Sequence, residues 1–196
     1  IGTCTDTGTA VTFKPDPEIF VECTTYNYET IHTRLRQVAY LNKGITIVVT
    51  DARNPENILT DTFCYEGGIG SFVEHIGETY GLTPVHEKVI HFSSVDGDRS
   101  AEIALMYNDG YKERIFSYAN NVNTVDGGTH ESAFKTAMTR VINNYARKFK
   151  FLKDNDNNLK GDDIQEGIAA VISVKLTDAQ FESQTKSKLG NTSMGT

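Results

Sequence analysis

Apolar residues follow two alternating periods along this chain. From Glu29 to Leu41, Ile31, Leu35, Val38 and Leu41 recur at helical spacing, with Arg34 and Arg36 off the stripe. Ser71–Tyr80 repeats the pattern, with Phe72, Val73 and Ile76 facing inward. Between them, Ile45–Thr50 reads as a strand opened by Gly44, and Phe63–Tyr65 as its return. The polar stretch from Asp51 to Thr60, with Pro55, would close that hairpin. Val89–Ser93 forms a strand leading to the turn Asp96-Gly97-Asp98. Ala101–Tyr107 and Arg114–Tyr118 flank Asn108-Asp109-Gly110, and Asp-Gly predicts a second hairpin because Gly accepts positive φ.

A long helix starts near Gly128-Thr129, with Thr129 as its N-cap. Phe134, Met138, Val141 and Tyr145 make its stripe, flanked by Ala137 and Ile142. Asp162 or Asp163 caps a short helix, and 167–176 is nearly continuous apolar and β-branched. That composition predicts a strand buried on both faces. Near the start, Thr9–Phe13 reads as a strand stopped by Pro15 and Pro17, which look like a domain boundary. The fold class is α+β, with no internal repeats.

Composition narrows the functional classes. The 196 residues can bury one good core or two small ones. Charged residues make up 23% and apolar residues 38%, ordinary for a globular protein. No run approaches membrane-spanning length, and the N-terminus has no signal-peptide pattern. It also lacks Met, so an excised fragment is expected. Cys4, Cys23 and Cys64 show no paired spacing, which fits a reduced cytoplasm without disulfides or a zinc site. A net charge of −7 argues against a dedicated nucleic-acid-binding domain, though not against a local basic strip. Such a strip runs from Lys135 through Arg140, Arg147, Lys148 and Lys150 to Lys153, with no acid between. Cations near a helix C-terminus explain Arg147, Lys148 and Lys150 better than Lys135 and Arg140.

No nucleophile, metal or acid–base set is visible. Glu66-Gly67-Gly68-Ile69-Gly70 lacks the ending of a phosphate loop and reads as a tight turn into a helix. Asp154–Asn158 lacks the Gly and Glu of a calcium loop. His130, with no second ligand nearby, reads as a structural hydrogen-bonding group. What remains is Gln184-Thr185-Lys186, a polar loop at the end of the buried strand. A lysine on so rigid a base suits a phosphate as a compact point charge. A solvated surface turn is the competing reading.

The run Gln184-Thr-Lys-Ser-Lys-Leu-Gly-Asn191 resembles the loop named for Gln-Thr-Lys in bacterial type II topoisomerases, in DNA gyrase B and its topoisomerase IV counterpart. Six further blocks are similar and collinear. They are Gly8–Phe20, Arg34-Leu-Arg36 with Ala39-Tyr-Leu-Asn42, Tyr65-Glu-Gly-Gly-Ile69, Asp126-Gly-Gly-Thr-His130, Phe134-Lys-Thr-Ala-Met-Thr-Arg140 and Gly161-Asp-Asp163. The resemblance spans essentially the whole chain. It implies a transducer domain at 18–196, a two-layer mixed β-sheet covered by helices, the fold of a small-subunit ribosomal protein. Residues 1–17 would be the last strand and linker of an upstream Bergerat-type ATPase domain.

The resemblance further implies that Lys186 contacts the γ-phosphate of ATP held with Mg²⁺ in that neighbouring domain, with Gln184 and Thr185 positioning it. Lys135, Arg140 and Arg147 would face a cavity for double-stranded DNA. The partners implied are a gyrase A-type subunit, in a tetramer of two A-type and two B-type chains, and a second B-type chain joined through the ATPase domains. No metal ligand and no membrane contact are implied, and the isolated chain is expected to be inactive. Two departures stand out: Gln165 occupies a position where the family commonly has Arg, and the sequence ends before the family's following long helix. The alternative is a stand-alone nucleic-acid-binding module of the same fold.

Overall fold

The computed structural model describes residues 7–11, 15–22 and 24–195. Its elements are α1 (Tyr28–Leu41), β1 (Ile47–Asp51), β2 (Leu59–Phe63), α2 (Ile69–Tyr80), β3 (Ile90–Asp96) and β4 (Arg99–Tyr107), then β5 (Arg114–Ala119), β6 (Val122–Asn123), α3 (Thr129–Lys148), α4 (Gly161–Gln165) and β7 (Ile168–Lys175). A short 3-10 turn, Thr192–Gly195, follows. β1 and β2 form a two-stranded sheet, and the other five strands form a mixed sheet in the order β3-β4-β7-β5-β6.

The expected buried strand is the centre of that sheet. Every residue of β7 except Lys175 is buried. Its alternate side chains serve two cores. Ala169 and Val171 join Tyr118 and the inward residues Ile69, Phe72, Val73 and Ile76 of α2. Ile168, Ala170, Ile172 and Val174 join Phe134 of α3 and Leu189. A strand covered on both faces can be apolar at every position, which is what its sequence shows.

The hairpin expected at Asn108-Asp109-Gly110 does not form. β7 inserts between the two strands, antiparallel to β4 and parallel to β5. A fully buried strand has no water for its backbone, so both of its edges need partners. The Asn-Asp-Gly turn is used to seat its entry instead. Asn108 donates to Gly167 O from both its backbone N (2.9 Å) and its Nδ2 (2.6 Å). Gly167 has φ +71°, and a Cβ there would lie 2.6 Å from Asn108 O, so only glycine fits.

Other elements shift in detail. β2 starts at Leu59 rather than Phe63, pairing Leu59 with Asp51. Its threonines suit a pleated surface although the stretch reads as polar. α1 is capped by Asn27, whose Oδ1 accepts from Thr30 N at 3.0 Å. Ile31 and Leu35 pack on the β1–β2 hairpin, while Tyr40 and Leu41 enter the core beneath α2. Arg34 donates to Asn121 O at 2.6 Å, tying α1 to the β5–β6 turn.

α3 is capped by Gly128, not Thr129, whose hydroxyl donates to Asn191 O at 2.7 Å. Its expected stripe also turns. Val141 is 58% and Tyr145 56% exposed, while Asn143 and Ala146 are buried. The cause is the segment before α4, which docks on the Asn143 side: Leu159 N donates to Asn143 Oδ1 at 2.8 Å, and Asn143 Nδ2 to Leu159 O at 3.0 Å. Asp163 does bond the Lys160 N–H at the start of α4, at 2.8 Å, from within the helix. Of the strand expected at Thr9–Phe13, residues 9–11 are exposed and in no strand, and Thr12 and Phe13 lie outside the described residues.

Candidate phosphate-reaching loop and basic helix

β7 delivers the chain through Leu176 to a loop whose stem is stapled twice. Phe181 and Leu189 bridge antiparallel across it, and Leu189 bridges in parallel to Gly128 at the start of α3. Glu182 N donates to Lys188 O (3.1 Å), and Gly190 N to Gln180 O (2.8 Å). Asp126 N donates to Ser187 O at 2.9 Å, Leu189 N to Gly127 O at 3.2 Å and Thr129 N to Leu189 O at 3.1 Å. The Leu189 side chain is fully buried. Two blocks that look independent in the sequence, Asp126–His130 and Gln184–Asn191, are one structure.

The tip is exposed and tightly turned. Lys186 N donates to Ser183 O at 3.0 Å, and Lys186 itself adopts φ +57°. That left-handed backbone is uncommon for a residue other than glycine and costs on the order of 1 kcal/mol. Ser183 and Thr185 hydroxyls bond at 2.7 Å beneath it. Lys188 is spent on Glu182, 3.0 Å away. Lys186 makes no ion pair among the described residues; its Nζ lies 5.9 Å from the Phe181 ring centroid. Gln184 is exposed beside it. The loop therefore offers one uncommitted ammonium at a place fixed by the sheet.

The basic helix is less uniform than its sequence. Lys135 lies between Glu113, 2.5 Å away, and Glu131, 3.0 Å away. Burial alone lowers its pKa, and the bonds to the two acids outweigh it and raise the pKa above the ordinary lysine value. Arg147 is spent on structure. It donates to Asn158 Oδ1 (2.6 Å from Nη2), Asp156 O (2.9 Å) and Lys153 O (3.1 Å), holding the loop after α3. Arg140 is exposed and lines a groove of about 540 Å³ with Thr136, Asn144 and Gln165. Among the described residues the strip thus contains a cation without an ion pair, Arg140, beside a paired one, Lys135, and a structural one, Arg147.

Beside the loop anchor lies a buried polar cluster. Ser117 Oγ donates to Glu131 Oε2 at 2.8 Å, and Thr124 Oγ1 donates to Ser117 O at 2.8 Å. Thr124 Oγ1 also lies within hydrogen-bonding distance of His130 Nε2, at 3.2 Å. His130 Nδ1 has no hydrogen-bond partner among the described residues. Burial pushes the His130 pKa down to about 4 against the opposing field of Glu131. The structural reading of His130 agrees with this geometry. Glu131 was legible only as an i,i+4 partner of Lys135. Glu113, Ser117 and Thr124 carried no local signal.

Cys64 is free and exposed; Cys4 and Cys23 lie outside the described residues. Among the described residues no His, Cys, Asp and Glu group could hold a metal ion, and no helix is long and apolar enough to cross a membrane. The loop at Asp154–Asn158 is organised by its own Asp156, which accepts from Lys153 N at 2.7 Å.

The family model for DNA gyrase B matches residues 68–196, beginning at the Gly68 cap of α2. The DNA gyrase B protein of Clostridium acetobutylicum is 55% identical over 98% of the chain, and that of Halalkalibacterium halodurans 53% over 97%. The chain spans 29% of the length of each of these relatives. Among solved structures, the 43K ATPase domain of Thermus thermophilus gyrase B in complex with an aminocoumarin superposes with a TM-score of 0.77 at 38% identity. That superposition covers 93% of this chain and 48% of the other. The Gln184–Asn191 loop, the Asp126–His130 anchor and the mixed sheet all lie inside the matched region, and the chain belongs to the DNA gyrase B family.

Proposed function

We propose that this chain is the transducer of a type II topoisomerase of the gyrase B kind, coupling ATP use in a neighbouring domain to movement of DNA. The observation that carries it is Lys186, an uncommitted ammonium on a loop stapled to the central strand and to α3. The loop fits a terminal phosphate, because Glu182, its near acid, is already neutralised by Lys188. A nucleoside triphosphate with Mg²⁺, bound outside this chain, would supply the phosphoanhydride bond that breaks. Lys186 would hold the outermost phosphate, with Gln184 and Thr185 orienting the tip. A charge-assisted bond of this kind is worth roughly 1.5–3 kcal/mol. It lasts only while that phosphate is in place, so it biases a two-state rotation of the domain.

Arg140 and Lys135 would meet double-stranded DNA through its phosphates, a sequence-independent contact. The gyrase A-type partner, a second B-type chain and a cytoplasmic setting belong to the same proposal, as does a domain boundary at Pro15 and Pro17. Changing Lys186 to Ala in the complete protein tests it. ATP turnover should fall by roughly 10- to 150-fold while nucleotide binding survives. Lys188→Ala combined with Glu182→Ala, which removes the exposed pair whole and leaves Lys186 uncommitted, should stay within about threefold. Near-normal turnover by the Lys186 variant would reduce the loop to a surface turn.

A further inference from the structure

Glu131 stands between the two ends of the proposed coupling. Its Oε1 lies 3.0 Å from Lys135 Nζ on the helix surface. Its Oε2 accepts from the buried Ser117 hydroxyl at 2.8 Å. The same carboxylate packs on the Asp126-Gly127-Gly128 turn, where a Cβ on Gly127 would come within 3.1 Å of Oε2. That turn is bonded directly to the Lys186 loop, through Asp126 N to Ser187 O and Leu189 N to Gly127 O. It is also held to the Ser117–Thr124 cluster, since Gly127 N donates to Thr124 O at 2.8 Å. An unbroken run of bonds and packing therefore joins the Lys135 ammonium to the loop carrying Lys186.

The charge balance makes this run responsive. Lys135 is the one cation that pairs with Glu131 among the described residues, whereas Lys135 itself has a second acid in Glu113. The Glu131 side chain is only 18% exposed. A carboxylate so placed depends on its counter-charge, and losing one partner of a largely buried pair is costly.

We propose that Glu131 is a positioning residue that transmits occupancy of Lys135 by a DNA phosphate to the Lys186 loop. This rests on the roles proposed above for Lys135 and Lys186. When a phosphate takes the Lys135 ammonium, Glu131 loses its counter-charge and its hold on Ser117 and the Gly127 turn changes. The bonds to Ser187 and Leu189 pass that change to Lys186. Coupling then needs no new contact between DNA and the loop.

The test uses the full-length gyrase B protein with its A-type partner and linear duplex DNA. Glu131→Gln keeps the acceptor for Ser117 and removes the charge. Its basal ATP turnover should stay within about twofold, and its DNA affinity should hold or rise because Lys135 is released. Stimulation of turnover by DNA should drop about fivefold or more, the size of a modest coupling. Unchanged stimulation at unchanged DNA affinity would overturn the proposal. Amide exchange in the unsubstituted protein provides a second readout. Duplex DNA should alter protection of the Ser187–Leu189 segment, and Lys135→Ala should abolish that response. No DNA response in that segment would also overturn it. Failure of the underlying reading is separate, since it appears as normal turnover in Lys186→Ala whatever Glu131 does.

Discussion

Gly128 and Leu189 are in backbone contact so close that no side chain fits between them. A Cβ on Gly128 would lie 2.5 Å from Leu189 O and 2.7 Å from Leu189 N, and Gly128 has φ +143°. The contact anchors the Lys186 loop to the start of α3. Gly128→Ala is expected to cost at least about 2 kcal/mol, from backbone strain and from separation of the two segments. Thermal unfolding of the variant checks this, with a Tm fall of several degrees expected. An unchanged Tm would mean the loop is not anchored here.

His130 predicts a pH dependence of stability. Its folded pKa of about 4 lies below the ordinary value of 6.5, so the unfolded chain binds more protons between those pH values. The stability contributed by the neutral buried ring is complete above about pH 6.5 and is lost as pH falls toward 4. The full loss is about 3 kcal/mol. Urea denaturation at pH 7 and pH 4.5, compared between the native sequence and His130→Gln, isolates the effect. The native sequence should lose more stability than the variant over that interval.

Tyr118 has a fully buried side chain whose hydroxyl has no hydrogen-bond partner among the described residues. Burial raises its pKa to about 12. Removing an unsatisfied buried hydroxyl relieves a desolvation cost, so Tyr118→Phe should be neutral or stabilising by up to about 1 kcal/mol. A clear destabilisation in chemical denaturation would show that the hydroxyl has a partner in solution.

Arg147 and Arg140 should separate stability from DNA binding. Arg147→Ala removes the bonds to Asn158, Asp156 and Lys153 and should make 153–158 the first site of limited proteolysis. Arg140→Ala should leave proteolysis unchanged and lower the salt slope of DNA binding by about 1. The opposite pattern would reverse the two assignments.

Local chemistry made much of this protein legible without a structure. Helical spacing located α1 and α2, with Phe72, Val73 and Ile76 buried as read. The apolar run at 167–176 identified the central strand, since a segment apolar on both sides has few other places to go. These are properties of neighbouring residues, and chain spacing alone sets which face they share. The Gln184-Thr185-Lys186 loop stood out through its resemblance to a family's loop, where spacing alone reads as a polar surface turn.

Tertiary structure decided what depends on distant partners. Asp109-Gly110 was a valid local hairpin signal, yet β7 took the place between β4 and β5 because its buried backbone needed two partners. α3 presents Asn143 inward because the segment at Leu159 bonds it there. Lys135 and Arg147 look alike in the sequence. One is paired with Glu113, 22 positions away, and the other is absorbed by a loop. Lys186 alone of the three keeps its charge uncommitted, because Lys188 neutralises the acid beside it. A residue type dictates what bonds are possible, but only the fold brings the competing partner within bonding distance, and that competition decides which charge remains free to act.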